Sequence, residues 1–189
     1  LGVALTTLLS LAAAAGAADF GTIKGRFVFD GTPKVESIVP SKDAEFCGKH
    51  DLKSESVVVN DKKELQNVFV YLYTARGKKV DIHPDLKASA EPKVLDNKGC
   101  RFEPHALTLW TEESLEIRNS DEGVGHNTNG QKLVANPKFN EQVTGGSPIT
   151  KKFEKSEPIP TEVACNVHPW MNAVVLIRDN PYMAVSGED

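Results

Sequence analysis

Basic residues are not in excess in this sequence: 22 Lys and Arg stand against 26 Asp and Glu, a net charge of −4. Without a basic stripe there is no electrostatic footprint for nucleic acid. The mild acidity bears mainly on solubility and on which partners approach. Helical patterning is also missing, since no run carries apolar residues at three- and four-residue spacing over a useful length. Sulfur and imidazole are scarce, with three Cys, two Met and five His. No two of the histidines form a His-x-His pair. The patterns G-x-S-x-G and H-E-x-x-H do not occur, which removes the serine-elbow and zinc-helix hydrolases.

What remains is an ordinary globular composition, 40% hydrophobic and 25% charged over 189 residues. That length fits one domain, or a domain with a small added lobe. Residues 1–18 (LGVALTTLLSLAAAAGAA) carry no charge and end in small residues. They read as the apolar core and cleavage site of a secretory signal, with a charged start preceding Leu1. A membrane anchor is the alternative, though the run is short for a span and half of it is Ala-rich. Either reading sends the remaining chain out of the cytoplasm, to the periplasm or the medium. No stable membrane insertion is expected once the signal is removed.

From residue 19 onward the period is two. Ile23, Phe27 and Phe29 fall on one face and Lys24 and Arg26 on the other, the pattern of a half-buried strand. Asp30–Pro33 is a turn by composition. Residues 34–54 are polar and irregular. Val57–Val59 and Asn67–Thr74 are the next expected strands, the second apolar on both faces and so expected in the middle of a sheet. Asn60–Lys63 turns between them, and residues 75–92 read as loop. Strands follow at Leu107–Trp110, Ser114–Asn119, Lys151–Phe153, Glu162–Cys165 and Ala173–Ile177. Residues 128–150 read as a long connection. Short strands between Gly, Pro, Asn and Asp turns predict an all-β sandwich.

The chemistry concentrates in Cys165-Asn166-Val167-His168-Pro169-Trp170-Met171, a C-x2-H-x2-M spacing on one tight loop. A thiolate, an imidazole and a thioether can close on one soft metal, and a second imidazole completes a trigonal His2Cys set. His126, in Gly125-His126-Asn127, is the candidate for it. This segment resembles the cupredoxins, the type 1 blue-copper proteins. It looks most like the amicyanin and plastocyanin group, where the ligand loop is this short and a Pro-aromatic pair precedes the Met. The likeness covers about 100–179.

The resemblance implies a Greek-key β-sandwich binding one copper on His126, Cys165, His168 and Met171. It implies a buried His126 and a His168 whose ring edge lies at the surface as the electron's way in and out. Asn127 would brace the Cys165 thiolate, or else serve as a turn residue. Pro169 and Trp170 would form an apolar rim for docking, or Trp170 would simply pack in the core. Zinc on His2Cys is the other ion such a set admits.

The expected organisation is one cupredoxin-like domain over 19–180, with an N-terminal extension or insertion and a tail at 181–189. A separate small β-domain at 20–75 is the alternative. With Cys165 taken by metal, Cys47 and Cys100 are left to pair, as thiols of exported proteins do. The loop so closed holds about 50 residues, for which chain entropy gives roughly 4 kcal/mol. The competing arrangement is a second metal site from Cys47-x2-His50 and Cys100-x4-His105.

Three functions compete. An electron carrier between redox protein partners needs only this one site. A storage, delivery or sensing module usually spreads several Met or His over an open surface, and only Met171 and Met183 are present. An oxidase or nitrite reductase needs further histidine-built copper sites, which five His without His-x-His do not supply. The expectation is a non-enzymatic carrier, or a cupredoxin-like domain of something longer.

Overall fold

A computed structural model describes residues 20–75 and 78–187; the expected signal at 1–18 lies outside the described residues. Among the described residues no helix is long and apolar enough to cross a membrane. Among the described residues one turn of helix, α1 (Ala44–Cys47), precedes eleven short strands. These are β1 (Phe69–Tyr71), β2 (Lys93–Asn97), β3 (Phe102–Glu103), β4 (Ala106–Trp110), β5 (Ser114–Asn119) and β6 (His126–Asn129). They continue with β7 (Asn140–Val143), β8 (Ile149–Lys152), β9 (Thr161–Ala164), β10 (Asn172–Arg178) and β11 (Met183–Val185).

Two sheets form the sandwich. One runs β4-β10-β9-β6-β7 and the other β3-β2-β5-β8. The chain crosses repeatedly between them, from β4 to β5, back to β6 and β7, over to β8, and back to β9 and β10. Most neighbours are antiparallel; β10 beside β4 and β2 beside β5 are parallel. The alternation that identified β5 places Leu115 and Ile117 inside and turns Arg118 out. β10 does the same with Ala173, Val175 and Ile177. These side chains meet Leu95, Phe102, Leu107, Leu109, Val143 and Val163 in one buried core drawn from both sheets. The all-β sandwich is therefore the observed fold.

The N-terminal part departs from expectation. Gly21–Phe29 is not a half-buried strand: Ile23 is 96% exposed and only Val28 makes a bridge, to Glu64. Its pairing is confined to the short stretch around Glu64, where Phe29 N–H donates to the Lys63 carbonyl and Leu65 N–H to that of Phe27. Val57–Val59 likewise contributes a single bridge, Val59 to Leu65. Asn67–Thr74 is not a central strand either. It shortens to β1, which pairs with β11, and leaves Val70, Leu72 and Tyr73 exposed. Residues 181–189 were expected as a tail, yet β11 comes from them and forms that ribbon. The expected connection at 128–150 contains β7 and the start of β8. Polar residues hide β7, because only Val143 of its Asn-Glu-Gln-Val faces the core.

The segment before β1 is joined to the sandwich covalently. Cys47 and Cys100 form a disulfide with an S–S distance of 2.04 Å, and both are fully buried. Their pairing overturns the second metal site, since neither sulfur is free to bind beside His50 or His105. His105 is instead half of an ion pair with Glu55 at 3.5 Å.

Candidate metal centre

β6 begins at His126, and the loop that follows β9 carries Cys165 and His168 before β10 starts. Because β6 meets β9 only at Asn129 opposite Ala164, His126 projects past the end of β9. That overhang sets it beside the 165–171 loop at one end of the sandwich. The loop closes on itself, with Cys165 N–H donating to the Met171 carbonyl at 3.1 Å and Met171 N–H to that of His168 at 2.9 Å. Asn127 Oδ1 accepts from the Asn166 N–H at 2.8 Å and lies 3.4 Å from Cys165 Sγ. The residue after the first histidine thus ties the loop to β6.

His126, Cys165 and His168 offer donor atoms that all lie within 4.8 Å of one another, and all three are buried. The two imidazoles face each other through Nδ1 at 3.0 Å, and His168 Nδ1 is 3.8 Å from Cys165 Sγ. Each ring is held from behind by a carboxylate. Asp121 Oδ2 lies 2.9 Å from His126 Nε2, and Asp43 Oδ2 lies 2.8 Å from His168 Nε2. A carboxylate behind Nε2 turns Nδ1 inward. Two inward Nδ1 atoms at hydrogen-bond distance, next to a sulfur, form a set that one shared cation can bridge, a proton in the metal-free chain or a metal ion. Two imidazole nitrogens and a thiolate suit copper, and zinc is the other ion that such a set admits. Met171 sits on the same loop, 1% exposed within the core.

Burial alone would raise the Cys165 thiol. Hydrogen bonds with His126, Asn127 and His168 outweigh it and lower the thiol to about 6. Burial would lower His126, yet hydrogen bonds to Asp121 and Cys165 lift it to about 9. Asp121 is held below the usual carboxylate range against its own burial, by His126 and by the N–H groups of Cys100 and Gly99.

His168 differs from expectation. It is fully buried, with no ring edge at the surface. The physical reason is the N-terminal segment, which lays Asp43 over Nε2 and, with Ile38, Phe46 and Trp170, packs around the buried Cys47, Leu52 and Cys100. Pro169 is exposed, as an outer rim requires. Trp170 is largely engaged elsewhere: its indole N–H donates to the Cys100 carbonyl at 3.0 Å and its ring stacks 5.1 Å from His168. The sequence reading passed over Asp43 and Asp121. A search for a carboxylate just before His126 would have found Asp121, in the loop between β5 and β6. No local signal points to Asp43, which is 125 residues from its partner.

No protein-family model and no curated protein sequence matches the chain. Among solved structures it aligns with a copper-containing nitrite reductase from Thermus scotoductus SA-01. The TM-score is 0.41 at 18% identity, over 55% of this chain and 24% of that one. It aligns with a reduced Cu(I) form of an amicyanin variant at a TM-score of 0.37 and 15% identity, over 48% of this chain and 85% of that one. An oxidised amicyanin variant gives 0.39 and 14%, over 51% and 90%. These similarities extend over about half of the chain.

Proposed function

We propose that the chain holds one type 1 copper on His126, Cys165 and His168, with Met171 as a weaker fourth ligand. In this reading it is a one-electron carrier between redox proteins. The observation that carries it is the pair of inward-facing Nδ1 atoms beside Cys165 Sγ, each imidazole fixed from behind by a carboxylate. Copper bound there supplies one reversible electron, because imidazole, thiolate and thioether suit both of its oxidation states.

The chain's own part is to keep the ligands still. Asp121 and Asp43 set the tautomers, Asn127 pins the loop, and the core around Met171 excludes water. The lowered Cys165 thiol supplies a thiolate near neutral pH. Full burial of both histidines supports a carrier over a delivery module, which must surrender its metal, and over an enzyme, which must admit a substrate. The buried disulfide supports an oxidising location, periplasmic or secreted.

The test is a redox titration of the copper-loaded chain. The expected result is full bleaching by a mild reductant and full recovery by an oxidant, as a single one-electron step. The same titration on Met171→Gln should keep the copper and shift the step to lower potential, because a harder axial oxygen favours Cu(II). A step that does not reverse would contradict the carrier role; an unchanged potential in Met171→Gln would remove Met171 from the ligands.

A further inference from the structure

We propose that the Cys47–Cys100 bridge is a staple of the metal centre: it fastens the two carboxylates that orient the two ligand histidines. The inference rests on reading the His126–Cys165–His168 cluster as a metal site.

Each end of the disulfide is tied to one of these aspartates, at Cys100 through the carboxylate and at Cys47 through the backbone carbonyl. On the Cys100 side, the N–H groups of Gly99 and Cys100 donate to Asp121 at 2.6 and 2.9 Å. Both residues have positive φ, 63° and 56°, and this turn presents the two donors together. Asp121 then reaches His126 Nε2. On the Cys47 side, Cys47 N–H donates to the Asp43 carbonyl at 2.8 Å, across the single turn of α1. Asp43 then reaches His168 Nε2.

Asp43 shows what its carboxylate is used for. An Asp at a helix N-cap ordinarily accepts from the first-turn N–H groups. Here the side chain makes no such bond, and the backbone sits in the left-handed region at φ 47° and ψ 39°. The strained backbone and the unused cap both serve to aim the carboxylate at His168. α1 is one turn long and the preceding chain pairs with the sandwich by no strand. The buried bridge, with Ile38, Phe46 and Trp170 packed around it, is what keeps Asp43 in place. Asp43 is thus a positioning residue contributed from outside the sandwich, and it closes the side of the centre on which His168 would otherwise meet solvent.

Three variants test this: Asp43→Ala, Asp43→Asn, and Cys47→Ala with Cys100→Ala. The first readout needs no metal. In the metal-free protein the Nε2 proton of His168 should give a slowly exchanging NMR signal, lost in Asp43→Ala and in the cysteine pair but kept in Asp43→Asn, which retains an acceptor. The second is the rate at which EDTA strips Cu(II) from the loaded chain. Asp43→Ala and the cysteine pair should lose copper about 10- to 100-fold faster than the wild type, with Asp43→Asn close to it.

Should the cysteine pair fail to fold, the two Asp43 variants still decide Asp43's role. The fastening by the bridge is then read on the wild-type chain with the disulfide reduced. A wild-type chain that takes up no copper overturns the reading of the site itself. A wild-type chain that holds copper, beside variants that lose it no faster and keep the His168 signal, overturns the staple alone.

Discussion

His126 and Cys165 carry opposite charges in the metal-free chain over much of the neutral range, and this makes its stability depend on pH in a definite way. The thiol, lowered from 9.0 to about 6, contributes stability that is complete above its unfolded value and lost as pH falls through about 6. The imidazole, raised from 6.5 to about 9, contributes stability that is complete below its unfolded value and lost as pH rises through about 9. Between about 6.5 and 8.5 the folded and unfolded pairs bind the same number of protons, so this pair's contribution is level there and falls on either side. Thiolate absorbance of the metal-free protein should accordingly titrate near pH 6. A midpoint near 8.5 would mean that Cys165 lies apart from both histidines. The three donors were legible because their spacing is local to one loop and one preceding His-Asn pair. Asp121, five residues before His126, was within reach of a local search; Asp43 was not, because a carboxylate 125 residues from its imidazole leaves no periodicity or motif.

At the scale of elements, alternation is clear in β5, whose Leu115 and Ile117 have a core to meet, whereas β10 is a continuous apolar run buried along most of its length. Alternation misled at Gly21–Phe29, which bridges only at Val28, and the apolar run Val57–Val59 misled likewise, bridging only at Val59. β7 escaped because it is polar at three of its four positions. The connection between β6 and β7 is fixed by a residue from a different loop, Glu157, which is fully buried. Its carboxylate accepts from the N–H groups of Val134, Ala135 and Asn136 at 2.9 to 3.2 Å, and from Asn136 Nδ2 at 2.9 Å. Burial opposes its ionisation, but these donors win and hold it below the usual range.

Glu157→Gln replaces one accepting oxygen with an N–H2 facing donors, and should cost about 2–3 kcal/mol at pH 7. The wild type's advantage is present above the ordinary Glu value and is lost as pH falls through the lowered one. The gap between the two denaturation midpoints in urea should therefore narrow on acidification. Equal midpoints at pH 7 would mean that the cradle does not hold.

For the whole molecule, the all-β sandwich and the loop carrying Cys165 and His168 were legible in the sequence, whereas the closure of the site was not. The loop that carries Cys165 and His168 lies at one end of the sandwich, and His168 is fully buried there. Here residues 38–47 cover that end through contacts made across most of the chain's length, and no pattern within either segment announces them. The disulfide that anchors the cover was open to a second metal reading until both sulfurs were placed. The ribbon of β1 and β11 similarly joins two stretches more than 100 residues apart.

The most direct test of the central claim is the visible and EPR spectrum of the chain after one equivalent of Cu(II) is added, with Cys165→Ser alongside. The account predicts an intense blue or green thiolate-to-copper band with narrow copper hyperfine splitting, absent in a folded Cys165→Ser variant. A pale, ordinary Cu(II) spectrum, or a band that survives in Cys165→Ser, would contradict it.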